Sequence, residues 1–439
     1  HISKLLGKQD ESFDLIQKAY HIIGALANQT GDAQDFMQLA RCQVNLGEFL
    51  EEQFDYYQAR TAYNDALNML QNATETNSVF YRRMASWIHH KLGDVNKLIK
   101  QYIASVGHYR EALGIYEQLT AEYKTVTNQL NVAIIQNNLG NVLLEVGDDC
   151  GAVDAYLASY EIITGLYEND PTLDTQRQMM LTTSHLAGIN VQRENFELAE
   201  ELYQEALSIS KTLSDTLETV ESYRDLRVSC DHLASLYEEM GAPEKALKLR
   251  FFELETGRRV ADLTNTHKDL YALTTCYNDL ANLLRQLRKD EEALSQYLNA
   301  YNIRKTLSAQ LNNPASLYSL YYSCSCIAET HMDLGNPNEA LTYYRESIET
   351  CEKLVALEAS VENLDTLGTA YVDLASIVDE QEQLTLFTKA VSVYEKLCVD
   401  KPKEQRFKNN LEALQNARDD LERKLSKQGS FFTKIFRKR

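Results

Sequence analysis

The residues able to do chemistry in this 439-residue chain recur at intervals and do not converge on one point. Carboxylates stand at Glu52, Glu145, Glu239, Asp333 and Glu380. His185 and His232 lie one such interval apart, with no third ligand in evidence, so a metal site is not expected. His89 and His90 are adjacent, so a helix sends them to different faces. The eight Cys include no CxxC pair, only Cys324-Ser325-Cys326, which argues against both a zinc ribbon and a disulfide framework. There is no Gly-rich phosphate loop, no GxSxG and no HExxH. The sequence therefore predicts no catalytic residue, no cofactor and no metal, and the enzyme class is set aside for these residues.

Composition narrows the alternatives. Only 17 Gly and 5 Pro punctuate the chain, too few for a protein of sheets and hairpins. With 44% apolar and 25% charged residues it has an ordinary globular make-up. No stretch of about 18 apolar residues is present, so no helix is expected to span a bilayer. No signal-peptide layout opens the chain, and the cysteine usage predicts a reducing, cytoplasmic setting. Net charge is −20, although residues 427–439 carry five basic groups and no acid. So acidic a body repels phosphate backbones, and nucleic acid is not an expected partner. Tyr is abundant at 26, while the single Trp is Trp87.

Positioning comes from a tandem repeat. Small residues fall at Ala152, Ala199, Ala246, Ala293 and Ala340, each 47 after the last, with Phe387 next in phase. Leu139, Leu186, Leu233, Leu280, Ile327 and Leu374 form a second series, and Tyr156, Tyr203, Arg250, Tyr297, Tyr344 and Val391 a third. Within a period the apolar spacing is helical, as in Leu233, Leu236 and Tyr237, then Ala246, Leu247 and Leu249. Gly147, Gly241 and Gly335 fit left-handed ends of a first helix, and Pro243 and Pro337 fit the first turn of a second. Each unit is thus a helical hairpin in which the small residue permits close approach and the aromatic four residues on fills the gap beside it.

NLGNVLLEVGDDCGAVDAYLASY at 138–160 and NLGEFLEEQFDYYQARTAYNDAL at 45–67 resemble the tetratricopeptide repeat, through Leu139-Gly140, Gly147, Ala152 and Tyr156 and through Leu46-Gly47, Ala59, Tyr63 and Ala66. The usual unit has 34 residues; the longer one resembles the kinesin-light-chain-like subgroup. The resemblance implies an all-α, right-handed superhelical solenoid of about eight hairpins. The expected organisation is an N-terminal second helix of a truncated repeat at 1–29, a solenoid at 30–400, a capping helix at 401–426 and a basic amphipathic tail at 427–439. The zone 71–108 is irregular. Either Ala112 is the small residue of its unit, or Leu92-Gly93 and Ser105 keep the phase, and an atypical long helix is an option there.

The resemblance further implies that the fifth and ninth positions of each first helix face a concave groove. These are Lys97 and Gln101, Asn137 and Asn141, Ser184 and Gly188, Asp231 and Ser235, Asn278 and Asn282, and Ser325 and Glu329. Amides and hydroxyls there suit an extended peptide backbone, since each donates and accepts; a plain solvated surface is the other reading. The basic clamp by which some members hold a chaperone's C-terminal carboxylate is not met: Lys97 and Asn138 fit it, but Gln101, Leu181 and His185 do not. Cys230 and Cys324 fall where the family buries a packing side chain. The five carboxylates named above fall at the thirteenth position, the last turn of the first helix, where the macrodipole opposes negative charge by roughly 0.3–1 kcal/mol each. They read as a solvated face or as an acidic stripe for a basic partner.

Ser12, Ile16 and Ala19 match second-helix positions, so the chain opens midway through a unit, and with His1 in place of Met it reads as part of a longer protein, an upstream catalytic or signalling domain being left open. Leu411, Leu414, Ala417, Leu421 and Leu425 mark the capping stripe. In the tail, Phe431, Phe432, Ile435 and Phe436 make an apolar face beside Lys434, Arg437, Lys438 and Arg439, with Gly429-Ser430 as a joint. Docking on a protein surface is favoured there over membrane contact. The function expected is a non-catalytic scaffold binding a basic or neutral protein or peptide. The alternative is a regulatory arm of an effector enzyme lying upstream.

Overall fold

The computed structural model describes residues 9–53, 55–71 and 78–436, with side chains apart from those of 9–12, 52 and 428–436. Eighteen helices and no strand occur among the described residues. They form two compact units, divided after Leu217. The first holds α1 (Gln9–Thr30), α2 (Ala33–Glu52), α3 (Tyr56–Gln71), α4 (Val79–Leu98), α5 (Tyr102–Glu122), α6 (Val126–Glu145), α7 (Asp149–Asn169), α8 (Leu173–Gln192) and α9 (Phe196–Leu217). The second holds α10 (Val220–Glu239), α11 (Pro243–Thr264), α12 (His267–Gln286), α13 (Asp290–Leu311), α14 (Pro314–Asp333), α15 (Pro337–Leu357), α16 (Val361–Ala375), α17 (Glu380–Asp400) and α18 (Gln405–Phe436). Within each unit every helix packs on the next, so both are solenoids of helical hairpins. In the first unit the leading helices α2, α4, α6 and α8 also touch in sequence and share one face.

The period is enforced at helix ends. Leading helices begin on a side-chain oxygen at Ser78, Thr125, Thr172, Thr219, Thr266, Asn313 and Ser360, one every 47 residues, each accepting a backbone N–H of the first turn. They end on a left-handed residue at 100, 147, 194, 241, 288 and 335. Glycine meets that demand at three of these sites; Lys100, Glu194 and Arg288 adopt φ of 60°, 58° and 59° despite their side chains.

Between the helices of a pair, a tyrosine lies flat on a small residue. A Cβ on Gly93 would stand 2.5 Å from the Tyr109 ring, and Gly47 and Gly140 are equally tight against Tyr63 and Tyr156. Ala187, Ala234, Ala281 and Ala328 are the buried equivalents. Buried Ser105 donates to the carbonyl of Gly93 at 2.7 Å. The Leu92-Gly93 and Ser105 register is therefore the one adopted, with Ala112 one position series further on. Among the described residues no long atypical helix fills the zone, since α4 ends at Leu98 and α5 begins at Tyr102.

Phe407, Leu414 and Leu421 of α18 are buried, with Leu414 and Phe407 set in the last apolar cluster beside Leu397 and Tyr394. The helix runs unbroken through Gly429 and Ser430 to Phe436, so the expected joint is helical. The side chains of Phe431, Phe432, Ile435 and Phe436, like that of Glu52, lie outside the described residues. Among the described residues no helix is long and apolar enough to cross a membrane.

Candidate functional site

The register fixes which residues occupy the groove positions. His90 and Asp94 of α4, not Lys97 and Gln101, stand at the fifth and ninth positions of the repeat, in phase with Asn137 and Asn141. Lys97 falls a turn later, and Gln101 is the N-cap of α5, where it accepts from Arg60 at 2.9 Å.

Most of the polar groove candidates are spent inside the fold. The ninth residue receives the packing tyrosine: Tyr109 Oη donates to Asp94 and Tyr156 Oη to Asn141, both at 2.6 Å, and Tyr297 Oη donates to Asn282. The fifth residue bridges to a neighbour. Buried Asn137 donates to Thr182 at 2.6 Å, tying α6 to α8. Arg250 takes the tyrosine's place in the third series and gathers Asp231 at 2.6 Å and Ser235 at 2.9 Å. Glu329 and Asp333 receive Arg285 at 3.1 and 2.6 Å. Ser325 is buried, Ser184 and Gly188 are half-buried, and Lys97 is half-buried too.

The acidic stripe divides. Glu145 and Glu239 are exposed at the ends of α6 and α10. Asp333 is already met by Arg285. Glu380 is not on a leading helix at all: α16 stops at Ala375, so Glu380 opens α17, where the macrodipole welcomes it, and it pairs with Lys424.

The histidines and cysteines pack. His185 rests on the Tyr156 ring with centroids 5.1 Å apart. His89 meets His108 at 3.2 Å while His90 meets Asn138 at 2.8 Å, and burial lowers the basicity of His89, His90, His108 and His232. Burial pushes the Cys230 thiol up to about 12 and Cys324 higher still, so neither is a ready nucleophile. Asp231, Glu253 and Asp279 are the one group among the described residues whose ligand atoms converge as a metal would need. The Arg250 Nη1 atom already sits 2.6, 2.8 and 3.9 Å from them, and its Nε atom 2.8 Å from Glu238.

What remains open to a partner is the second position of the repeat, three residues before the fifth on each leading helix, which sequence reading passed over. In the first unit it holds exposed Arg41, Trp87 (39%) and Leu181 (37%), with Ile134 half-buried. In the second it holds Val228 (37%) and Tyr322 (38%) along with exposed Thr275 and Thr369. Around Trp87 the surface deepens into a cleft of about 590 Å³ between α2 and α4, lined by Arg41, Asn45 and Glu48 on one side and by Phe80, Arg83 and Trp87 on the other. Among the described residues Arg83 bonds to the amide of Asn128, at 3.1 Å.

The tetratricopeptide-repeat family profile matches residues 273–308 and 322–356, which fall in the hairpins α12–α13 and α14–α15. The chain carries tetratricopeptide repeats. No curated protein sequence matches it. Among solved structures it is similar to the apo form of the quorum sensor NprR from B. thuringiensis, at 13% identity and TM-score 0.51, over 80% of this chain and 82% of that one. It is also similar to aspartyl phosphate phosphatase F from Bacillus subtilis, at 13% identity and TM-score 0.48, over 74% and 73% of the two chains. BtubC (BKLC) from P. vanneervenii is 17% identical with TM-score 0.46, over 59% and 93%. At these identities the likeness is one of fold.

The signal for the second position was available in the repeat itself. Trp87, Ile134, Leu181, Val228 and Tyr322 keep the phase of the tetratricopeptide repeats yet, Ile134 apart, stay partly open to solvent, and partly exposed apolar side chains in phase mark a surface available for contact.

Proposed function

We propose that this chain is a non-catalytic, cytoplasmic scaffold whose leading helices receive an extended segment of a protein or peptide partner. The reading rests on one observation: exposed Trp87, Leu181, Val228 and Tyr322 share one repeat position, while His90, Asp94, Asp231, Ser235 and Glu329 beside them bond within the fold. Apolar surface of this kind gains free energy when covered, at about 25 cal/mol per Å². Its aromatic members are the type that dominates binding interfaces. The cytoplasmic assignment is supported by eight unpaired cysteines, most of them buried. The period of 47 supports placing the repeats with the long, kinesin-light-chain-like kind. The cleft beside Trp87, with Arg41 and Arg83 meeting no carboxylate among the described residues, favours a partner segment that carries acids over the basic or neutral one expected from the carboxylate series.

Pull-down with mass spectrometry tests this, using wild type against Trp87→Ala/Leu181→Ser/Val228→Ser/Tyr322→Ala. These side chains lie outside the buried core, and far-UV circular dichroism checks that the variant keeps its fold. Partners captured by wild type and lost by the variant support the reading. An unchanged partner set from a folded variant refutes it.

A further inference from the structure

Arg304 sits on α13 beneath the leading helices α12 and α14, and it is 7% exposed. Its guanidinium donates to Thr274 Oγ1 at 3.1 Å and to Ser323 Oγ at 2.9 Å. With its amide turned so that Oδ1 faces the guanidinium, Asn278 accepts from Nη2 at 2.6 Å and Nη1 at 2.7 Å. All three partners are neutral. The carboxylate of Asp279 acts on Arg304 through space and is shared with Arg250.

The neighbouring repeats sharpen the contrast. Arg250, the other deeply buried arginine of this unit, is ringed by Asp231, Glu238 and Glu253 within 2.8 Å. Arg224 holds Asp269 at 2.7 Å, and Arg285 holds Glu329 and Asp333. Each of those arginines is made more basic by its carboxylates, whereas burial lowers the basicity of Arg304. A buried charge paired only with dipoles is costly, and a fold keeps one where something else supplies the counter-charge. No repeat geometry demands it either: the equivalent residues are Ile163, Ser210, Gly257 and Cys351.

The surroundings fit a carboxylate carried on a chain. Tyr322, exposed at the second repeat position on α14, lies with its ring centroid 5.7 Å from Arg304 Cζ, and Tyr318 is exposed one turn earlier. On α12 the buried hydroxyl of Tyr271, beside Ser316, is close enough to Arg304 to feel its charge. We propose that Arg304 is the receptor for a carboxylate of an acidic, extended partner segment that lies against Tyr318 and Tyr322. The proposal rests on the reading of the leading helices as the binding face and adds the chemistry of what is bound. A charge-assisted hydrogen bond from the one Nη2 N–H that Thr274, Ser323 and Asn278 leave unused gives orientation as well as affinity in so dry a place.

Fluorescence anisotropy with a labelled (Glu-Tyr)4 peptide and its (Gln-Tyr)4 counterpart tests it on the full chain. Wild type should bind the Glu peptide at least tenfold more tightly than the Gln peptide. R304Q should lose that preference, R304K should keep part of it, and R288Q, at an exposed arginine, should keep all of it. Wild type that binds neither peptide, or does not discriminate between them, overturns the proposal, as does R304Q that binds the Glu peptide as wild type does. Should R304Q fail to fold by circular dichroism, wild type and R304K against the two peptides still decide. A Tyr322→Ala variant separates the two levels: loss of binding there with R304Q unaffected retains the binding face and removes Arg304 from it.

Discussion

Glu253 offers a quantitative test of the ionic cluster. Its carboxylate is 1% exposed, with one oxygen 2.8 Å from Arg250 and the other, Oε1, without a hydrogen bond among the described residues. Arg227 stands 3.8 Å away. Cys230, Cys276, Asp231 and Asp279 complete its surroundings. Burial outweighs the arginines and lifts the carboxyl from 4.5 to about 7. Between those values the folded chain keeps a proton that the unfolded chain has released, so stability falls as pH rises. The penalty is absent below pH 4.5, grows across the window and is complete above 7. At 1.36 kcal/mol per unit it amounts to about 3 kcal/mol at pH 8 and about 1 kcal/mol at pH 5. Glu253→Gln keeps the shape and an acceptor for Arg250 but cannot ionise. It should therefore be more stable than wild type by about 3 kcal/mol at pH 8 and by no more than about 1 kcal/mol at pH 5. Asp279, lifted by burial to about 6, titrates in both proteins and cancels from the difference. Urea unfolding followed by far-UV circular dichroism measures this, and fluorescence of Trp87, the sole tryptophan, reports the first unit alongside it. A variant less stable than wild type at pH 8, or equally favoured at both pH values, refutes the reasoning.

Three further outcomes follow from the same structure. Arg250→Tyr restores the residue type of the other repeats but strands Glu253 and Asp231, and should cost about 3–5 kcal/mol in urea unfolding at pH 7.5; adding Glu253→Ala should recover most of it. Lys100, Glu194 and Arg288 occupy left-handed backbone, so Arg288→Gly should raise stability by about 1 kcal/mol, whereas Gly241→Ala, at φ 69°, should lower it by a similar amount; equal melting temperatures for all would contradict the capping account. Gly93→Ala places a methyl 2.5 Å from the Tyr109 ring and should cost about 1–3 kcal/mol, with loss of the Tyr109–Asp94 hydrogen bond visible as faster exchange of nearby amides.

The binding face shows how far local pattern reaches. Polar residues at the fifth and ninth positions look available in sequence, because nothing in a one-dimensional pattern says that Tyr156 turns its hydroxyl to Asn141 or that Asn137 spans to Thr182. Those bonds join residues 15 and 45 apart, beyond the range of helical periodicity. The second position was legible in principle, since Trp87, Leu181, Val228 and Tyr322 recur in phase, but an apolar residue in phase is first read as core.

By itself the sequence determined the hairpin, its beat of 47 and the helical class, because these depend on interactions within a few turns: side-chain oxygens starting helices, left-handed residues ending them, and apolar residues at three and four residue steps. Tertiary structure alone decided the register at Gly93, where a ring must lie on a residue without a Cβ. It also decided that Arg250 sits among carboxylates while Arg304 sits among neutral groups. Charge pairing depends on distance through space, and two arginines 54 residues apart look alike until the helices are stacked.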